Sequence, residues 1–217
     1  MFDDLITYLT VGIIVGGRLF YVLFYNLSFY IYHPIKAFYL WDGGMSFHGG
    51  LSGVIIAMII FGRKKKILAG NILDLGAISS TIGFFVVRIA NFINGELYGR
   101  PSKIWCAMIF PDDKMHLLRH PSQLYEAFGE GLLIFIILFT LYKKTNIYKT
   151  KWLLSSLFLV LYGVVRFLIE FTREPDRQIG LIFNYFTMGQ VFCFAMIVFG
   201  LVLMFYAIIS NHRKAII

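Results

Sequence analysis

Trp152–Phe171 reads WLLSSLFLVLYGVVRFLIEF. As a helix this run is roughly 30 Å long, the depth of a bilayer's hydrocarbon core. It nevertheless carries Arg166 and Glu170 at i and i+4, on one helix face, with Arg173 a further turn on. Ionisable groups inside a span are costly and mark function or an internal pair. An apolar rod charged at one end predicts a membrane helix with a polar site near that end.

The rest of the 217-residue chain agrees. It is 59% hydrophobic, 18% aromatic and 15% charged, with mean hydropathy +0.74. A soluble domain is nearer 45–50% apolar and roughly 25% charged. Five further stretches qualify as spans: Leu5–Tyr25, Gly49–Phe61 with its glycine-rich lead-in, Ile67–Ile89, Ser122–Tyr142 and Met188–Ile209. The expected fold is an all-α, polytopic transmembrane helix bundle of about six spans, forming a single integral membrane domain over residues 1–217. A long outer loop follows the third span. Two distant cysteines, Cys106 and Cys193, exclude a disulfide scaffold. A leader of the cleavable kind is not expected, because Phe2, Asp3 and Asp4 follow Met1 where a basic region would stand.

The net charge of +8 gathers in three clusters, each two spans from the next: Arg63–Lys66, Lys143 to Lys151, and Arg213-Lys214. The positive-inside rule places all three in the cytoplasm, with the C-terminus, so nucleic acid is not the expected partner. Segments near 26–48, 90–121 and 172–187 then face outward. Counted at about 1.5 Å per residue, His48, Arg88, Glu126, Glu130, Arg166 and Glu170 fall in the outer leaflet, with Arg18 just past the midplane. Arginines converging at headgroup depth suit a phosphate, which guanidinium binds bidentately, with acidic partners such as Glu170 holding them. Ion pairs that merely tie a bundle together are the bland alternative. Asp74, in the inner half, is expected to pair locally or cap a helix.

Two segments are too polar for packing alone. Arg88-Ile-Ala-Asn91-Phe-Ile-Asn94-Gly95-Glu96-Leu-Tyr98-Gly99-Arg100 crowds the outer end of the third span. Its Asn side chains both donate and accept, which suits glycerol hydroxyls and phosphate esters. A helix C-cap accounts for Asn94-Gly95 but not for the remainder. Asp42-Gly-Gly-Met-Ser-Phe-His48-Gly-Gly50 sets a histidine between glycines at the membrane boundary. A third segment, His120-Pro-Ser-Gln-Leu-Tyr-Glu126, starts a helix.

The Arg88–Gly99 run resembles the signature of the bacterial phosphatidylglycerol–prolipoprotein diacylglyceryl transferase family. Gly16-Gly17-Arg18, Tyr21 to Asn26, Asp42 to Gly50, His120 to Glu126, Tyr162 with Arg166 to Asp176, and Met188-Gly189-Gln190 are similar to that family's blocks in the same order. Val87 stands where the signature usually has glycine. The resemblance implies a seven-span inner-membrane enzyme, of which this sequence carries the last six spans and lacks the first transmembrane helix.

By that resemblance the substrates are phosphatidylglycerol and the signal peptides of prolipoproteins, whose lipobox cysteine thiol receives the diacylglyceryl group. It implies a multi-pass protein of the inner (plasma) membrane, its active site towards the periplasm. The catalytic residues are expected at His48, Arg88 and Arg166. Phosphatidylglycerol is expected to bind at Arg88, Asn91, Asn94, Glu96, Gly99, Tyr162 and Arg166, with Arg18, Glu126, Glu170 and Arg173 in support. His48 is the natural base, since an unperturbed imidazole titrates near neutrality, although arginine electrostatics alone is another way to favour the thiolate. No cofactor and no metal are expected, because no histidine has ligand-like spacing to Cys, Asp or Glu. The alternatives are a truncated, catalytically impaired homologue that only binds lipid, and a membrane transporter.

Overall fold

The computed structural model describes residues 2–174, 181–182 and 186–216. Helix dominates: α1 (Phe2–Phe24), α2 (Leu27–Tyr32), α3 (Phe47–Lys65), α4 (Ala69–Ile93), α5 (Ser122–Glu126), α6 (Ile134–Lys144), α7 (Leu153–Ile169) and α8 (Met188–Ile216). A π-helical segment, Ala127–Leu133, joins α5 to α6 into one rod. Two antiparallel pairs, β1 (Met108–Ile109) with β2 (Leu118–Arg119) and β3 (Leu181–Ile182) with β4 (Phe186–Thr187), are the paired strands among the described residues. Five rods are long and apolar enough to cross a membrane: Asp3–Phe24, Ala69–Ile93, Ser122–Lys144, Leu153–Thr172 and Gly189–Asn211. The sixth expected span is α3, shorter at 19 residues and ending in Arg63, Lys64 and Lys65. The all-α, polytopic expectation therefore holds.

Contacts divide the chain into two units, Met1–Leu73 and Asp74–Ile217. In the first, α1 and α3 pack almost backbone to backbone. A Cβ on Gly53 would stand 1.9 Å from the Gly12 carbonyl oxygen, and one on Gly49 would stand 2.3 Å from that of Gly16. Small residues four apart on both helices permit this approach, where dispersion and not water exclusion drives association. Towards its Lys65 end the pair is sealed by Met58, Phe61 and Ile72, with Leu5, Tyr8 and Leu9 against them. An apolar hollow of ≈ 420 Å³ flanks the glycine seam, walled by Val11, Val15, Leu19, Ile56 and Ile60.

In the second unit, Ile78, Ile134, Leu138 and Leu154 form the core, with Phe158, Leu161 and Val165 packed against it. Asp74 resolves as a cap. Its Oδ2 accepts from the Trp152 amide at 3.0 Å, and its Oδ1 accepts from the Ser155 amide at 2.7 Å and the Ser155 hydroxyl at 2.5 Å. A carboxylate from α4 thus satisfies amides at the start of α7 that have no partner within their own helix. Trp152, from whose amide it accepts, is in the left-handed region at φ 69°.

The loop after α4 is laced to residues 172–174. The Arg100 amide donates to the Thr172 carbonyl at 2.9 Å, and the Gly99 amide to the His120 carbonyl at 2.9 Å. Arg119, 2% exposed, donates to Asp113 at 2.7 and 3.2 Å and to Glu174 at 3.0 Å, and lies over the Tyr98 ring. The guanidinium holds the Asp113 carboxyl down to about 2 against the desolvation that would raise it. A depressed carboxyl pKa adds stability that is complete above its unfolded value and is lost as pH falls through its folded one. Protection of this loop from protease is therefore expected to hold from neutrality to about pH 4, near the unfolded aspartate value, and to decline between there and about pH 2. In Asp113→Asn, limited proteolysis against pH should lose that acid-side slope and show weaker protection at neutrality.

Candidate functional site

The signature segment begins as a helix end. The Gly95 amide donates to the Phe92 carbonyl at 3.1 Å and the Glu96 amide to the Asn91 carbonyl at 3.0 Å, with Gly95 at φ 71°. This is a Schellman closure, and it accounts for Asn94-Gly95 as the cap reading expects. The side chains around it have other work. Asn91 Nδ2 and Asn94 Nδ2 donate to one oxygen of Glu96, at 2.9 and 3.3 Å. Arg88 Nη1 donates to Asn91 Oδ1 at 3.5 Å. The turn beyond is braced from α5: Ser122 Oγ donates to the Leu97 carbonyl at 3.1 Å and Gln123 Nε2 to the Glu96 carbonyl at 2.6 Å.

Arg88 leads inward to three glutamates and two more arginines. Its Nε lies 2.7 Å from Glu126 Oε2. Arg166 Nη1 reaches the same Glu126 oxygen at 3.1 Å and Glu130 Oε1 at 3.3 Å, while its Nη2 reaches Glu170 Oε2 at 3.1 Å. Arg173 pairs with Glu126 Oε1 and lies 3.5 Å from Glu170 Oε2. Tyr162 lies beside Glu130 and Arg166. Glu126 and Glu130 are fully buried, and each arginine keeps a slightly exposed edge. Spacing explains the convergence. Glu126 and Glu130 lie one turn apart on the rod that α5 begins, and Arg166, Glu170 and Arg173 share a face of α7 and the 3₁₀ turn after it.

Three guanidinium charges meet three carboxylates, so the cluster is neutral if all are ionised. Burial of this kind is tolerated only when every charge has a partner, and removing one leaves an uncompensated charge. The pairing does not exhaust the arginines. Arg88 commits Nε and Nη1, and its Nη2 makes no hydrogen bond among the described residues. A guanidinium held at two nitrogens with the third free of hydrogen bonds keeps a donor for an anionic ester.

Thr187, which the sequence reading does not single out, joins the site. Thr187 Oγ1 donates to Glu170 Oε1 at 3.1 Å. Thr187 and Gln190 also form a reciprocal capping box at the start of α8, at 3.0 and 3.2 Å. The signal was the Thr-x-x-Gln spacing ahead of an apolar run. Gly99 is placed by packing: a Cβ there would lie 2.3 Å from the Thr172 carbonyl oxygen and 2.8 Å from His120 Cβ. Its bridge to Arg173 passes the position of this backbone to the arginine cluster.

Of the expected site residues, Arg88, Glu126, Arg166, Glu170 and Arg173 form one network with Glu130, and Tyr162 lies beside it. Asn91, Asn94 and Glu96 join it through Arg88. Arg18 belongs to the first unit and is engaged by backbone carbonyls. The backbone of His48 lies in the first turn of α3, also in the first unit. Its side chain lies outside the described residues, as do Pro175 and Asp176.

Comparison with known proteins converges on one family. A family model described as prolipoprotein diacylglyceryl transferase matches residues 1–206. A protein of Ehrlichia canis (strain Jake), named phosphatidylglycerol–prolipoprotein diacylglyceryl transferase, is 54% identical over 200 residues, covering 92% of this chain and 77% of its own length. Proteins of the same name from Rickettsia bellii (strain OSU 85-389) and Methylococcus capsulatus are each 49% identical. The first aligns over 99% of this chain and 80% of its own length, the second over 93% and 76%. A family match over nearly all of the chain, joined to an arginine–glutamate site built from the signature segment, shows that this chain belongs to the prolipoprotein diacylglyceryl transferase family.

Proposed function

We propose that this chain transfers the diacylglyceryl group of phosphatidylglycerol to the lipobox cysteine thiol of prolipoproteins, the first step of bacterial lipoprotein maturation. The observation that carries the reading is the network of three arginines and three glutamates, buried in apolar helices, with Arg88 Nη2 free of hydrogen bonds among the described residues. Arg88 and Arg166 hold the lipid phosphate, and Asn91, Asn94, Glu96 and Tyr162 orient its glycerol groups. Glu126, Glu170 and Arg173 keep the guanidiniums in place.

The cysteine thiolate attacks the glycerol carbon that bears the phosphate ester. A carbon–sulfur bond forms as the carbon–oxygen bond breaks, and glycerol phosphate departs with that oxygen and the electron pair. His48 takes the thiol proton, because a free thiol near pKa 8.5 is largely unionised at neutrality. Arginine charge stabilises the leaving phosphate as it develops. In this reading the protein sits in the bacterial inner membrane with its C-terminus cytoplasmic and the site towards the periplasm. The basic ends of the second, fourth and sixth spans support that orientation.

The test uses radiolabelled phosphatidylglycerol and a lipobox peptide in proteoliposomes. Label should appear on the peptide, and His48→Gln should lower the rate by about 100-fold or more. Full activity in His48→Gln excludes the base role. Electrogenic flux without label transfer would instead make the chain a transporter.

A further inference from the structure

Arg18 is 5% exposed, and its guanidinium faces five backbone carbonyl oxygens. Nε donates to Ala37 at 2.8 Å, Nη2 to Lys36 and Tyr39 at 2.7 and 2.9 Å, and Nη1 to Gly44 at 3.0 Å and to Gly43. Its cation also lies over the Tyr30 ring, 5.4 Å from the centroid. A guanidinium has five N–H groups, all on its three nitrogens. Every one of those nitrogens here is committed to the chain's own backbone, and no carboxylate pairs with it among the described residues. A phosphate would have to displace these bonds.

The bonds gather one segment, residues 36–44, around α1, and that segment leads directly into α3. Gly43 and Gly44 are both left-handed, at φ 77° and 79°, which turns their carbonyls onto Arg18. Next, the Ser46 amide donates to the Gly17 carbonyl at 3.0 Å, and Ser46 Oγ caps α3 by accepting from the Gly49 amide. Ser46 is itself buried. The glycine seam then clamps the first turns of α3 to α1. Arg18 is thus linked to the first turn of α3 through the residue 36–44 carbonyls, the Ser46 amide and cap, and the glycine seam.

We propose that Arg18 is a positioning residue for the transfer reaction: by holding the carbonyls of residues 36–44 it sets where the His48-bearing turn of α3 begins, and it does not bind the lipid phosphate. The inference rests on the base role assigned to His48. Lysine, a point charge with three donors on a flexible stem, cannot reproduce the fork. A misplacement of about 1 Å at a catalytic group can cost about 100-fold in rate.

The test measures turnover and the KM for phosphatidylglycerol in proteoliposomes for Arg18→Lys, Gly43→Ala and His48→Gln, at equal membrane abundance. Gly43→Ala keeps Arg18 and meets no atom within 4 Å, but strains the left-handed turn. Arg18→Lys should lower turnover about 10- to 100-fold with KM within about twofold, and Gly43→Ala should move the same quantity less. If Arg18→Lys does not accumulate, Gly43→Ala decides alone. Raised KM with intact turnover makes Arg18 a lipid ligand and overturns the inference. Normal turnover in both variants, beside an inactive His48→Gln, overturns it while leaving the base role standing. A fully active His48→Gln removes the base role and the inference with it.

Discussion

Arg166→Lys is expected to cut diacylglyceryl transfer about 100-fold or more, the scale seen when one donor to a developing anion is removed. Arg166 touches Glu126, Glu130 and Glu170 at once. An ammonium cannot span that fork, so at least one buried carboxylate loses its partner. Arg166→Leu goes further and should destabilise the protein by about 3–5 kcal/mol, as for a buried pair broken on one side. The second change Glu130→Gln removes one of the stranded charges. Arg166→Leu/Glu130→Gln should therefore recover part of the melting temperature in detergent micelles without recovering transfer. Recovery of both would mean that the network serves the fold alone.

Gly99→Ala is the second large effect. The added methyl meets backbone at Thr172 and His120, which cannot swing aside as a flexible side chain would. Overpacking of this kind costs about 1–3 kcal/mol. Because Gly99 bridges Arg173, the displacement also reaches the Glu126 pairing, and transfer should fall more than about tenfold, given the sensitivity of such sites to ångström shifts. Gly83→Ala is the control: a Cβ there meets nothing within 4 Å. It lies within α4, where alanine is favoured over glycine by about 0.5–1 kcal/mol, so stability should be unchanged or slightly raised and transfer unaffected.

Much of this was legible in the residues. Runs of apolar side chains placed the spans to within a few residues, because the bilayer imposes a length and leaves the backbone only helix to satisfy itself. The i, i+4 spacing of Glu126 with Glu130 and of Arg166 with Glu170 anticipated two polar faces. That the two would interlock with Arg88 needed the packing of three rods, which spacing along one helix does not encode. Arg18 illustrates the same limit differently. Its depth suggested a phosphate contact, but its partners are carbonyls, and every residue type supplies a carbonyl. Asn94-Gly95 carried two messages at once: the backbone there closes a helix, while the Asn94 side chain serves Glu96.

The Asp74 cap has a further consequence. It gives α4 and α7 a common datum at their deep ends, from which Arg88 lies about four helical turns and Arg166 about three turns away. Height above that zero mark is then metered by residue count alone. Inserting one residue in either stretch would swing its arginine about 100° around the axis, so length between Asp74 and Arg88, and between Ser155 and Arg166, is as constrained as the identity of the charges themselves.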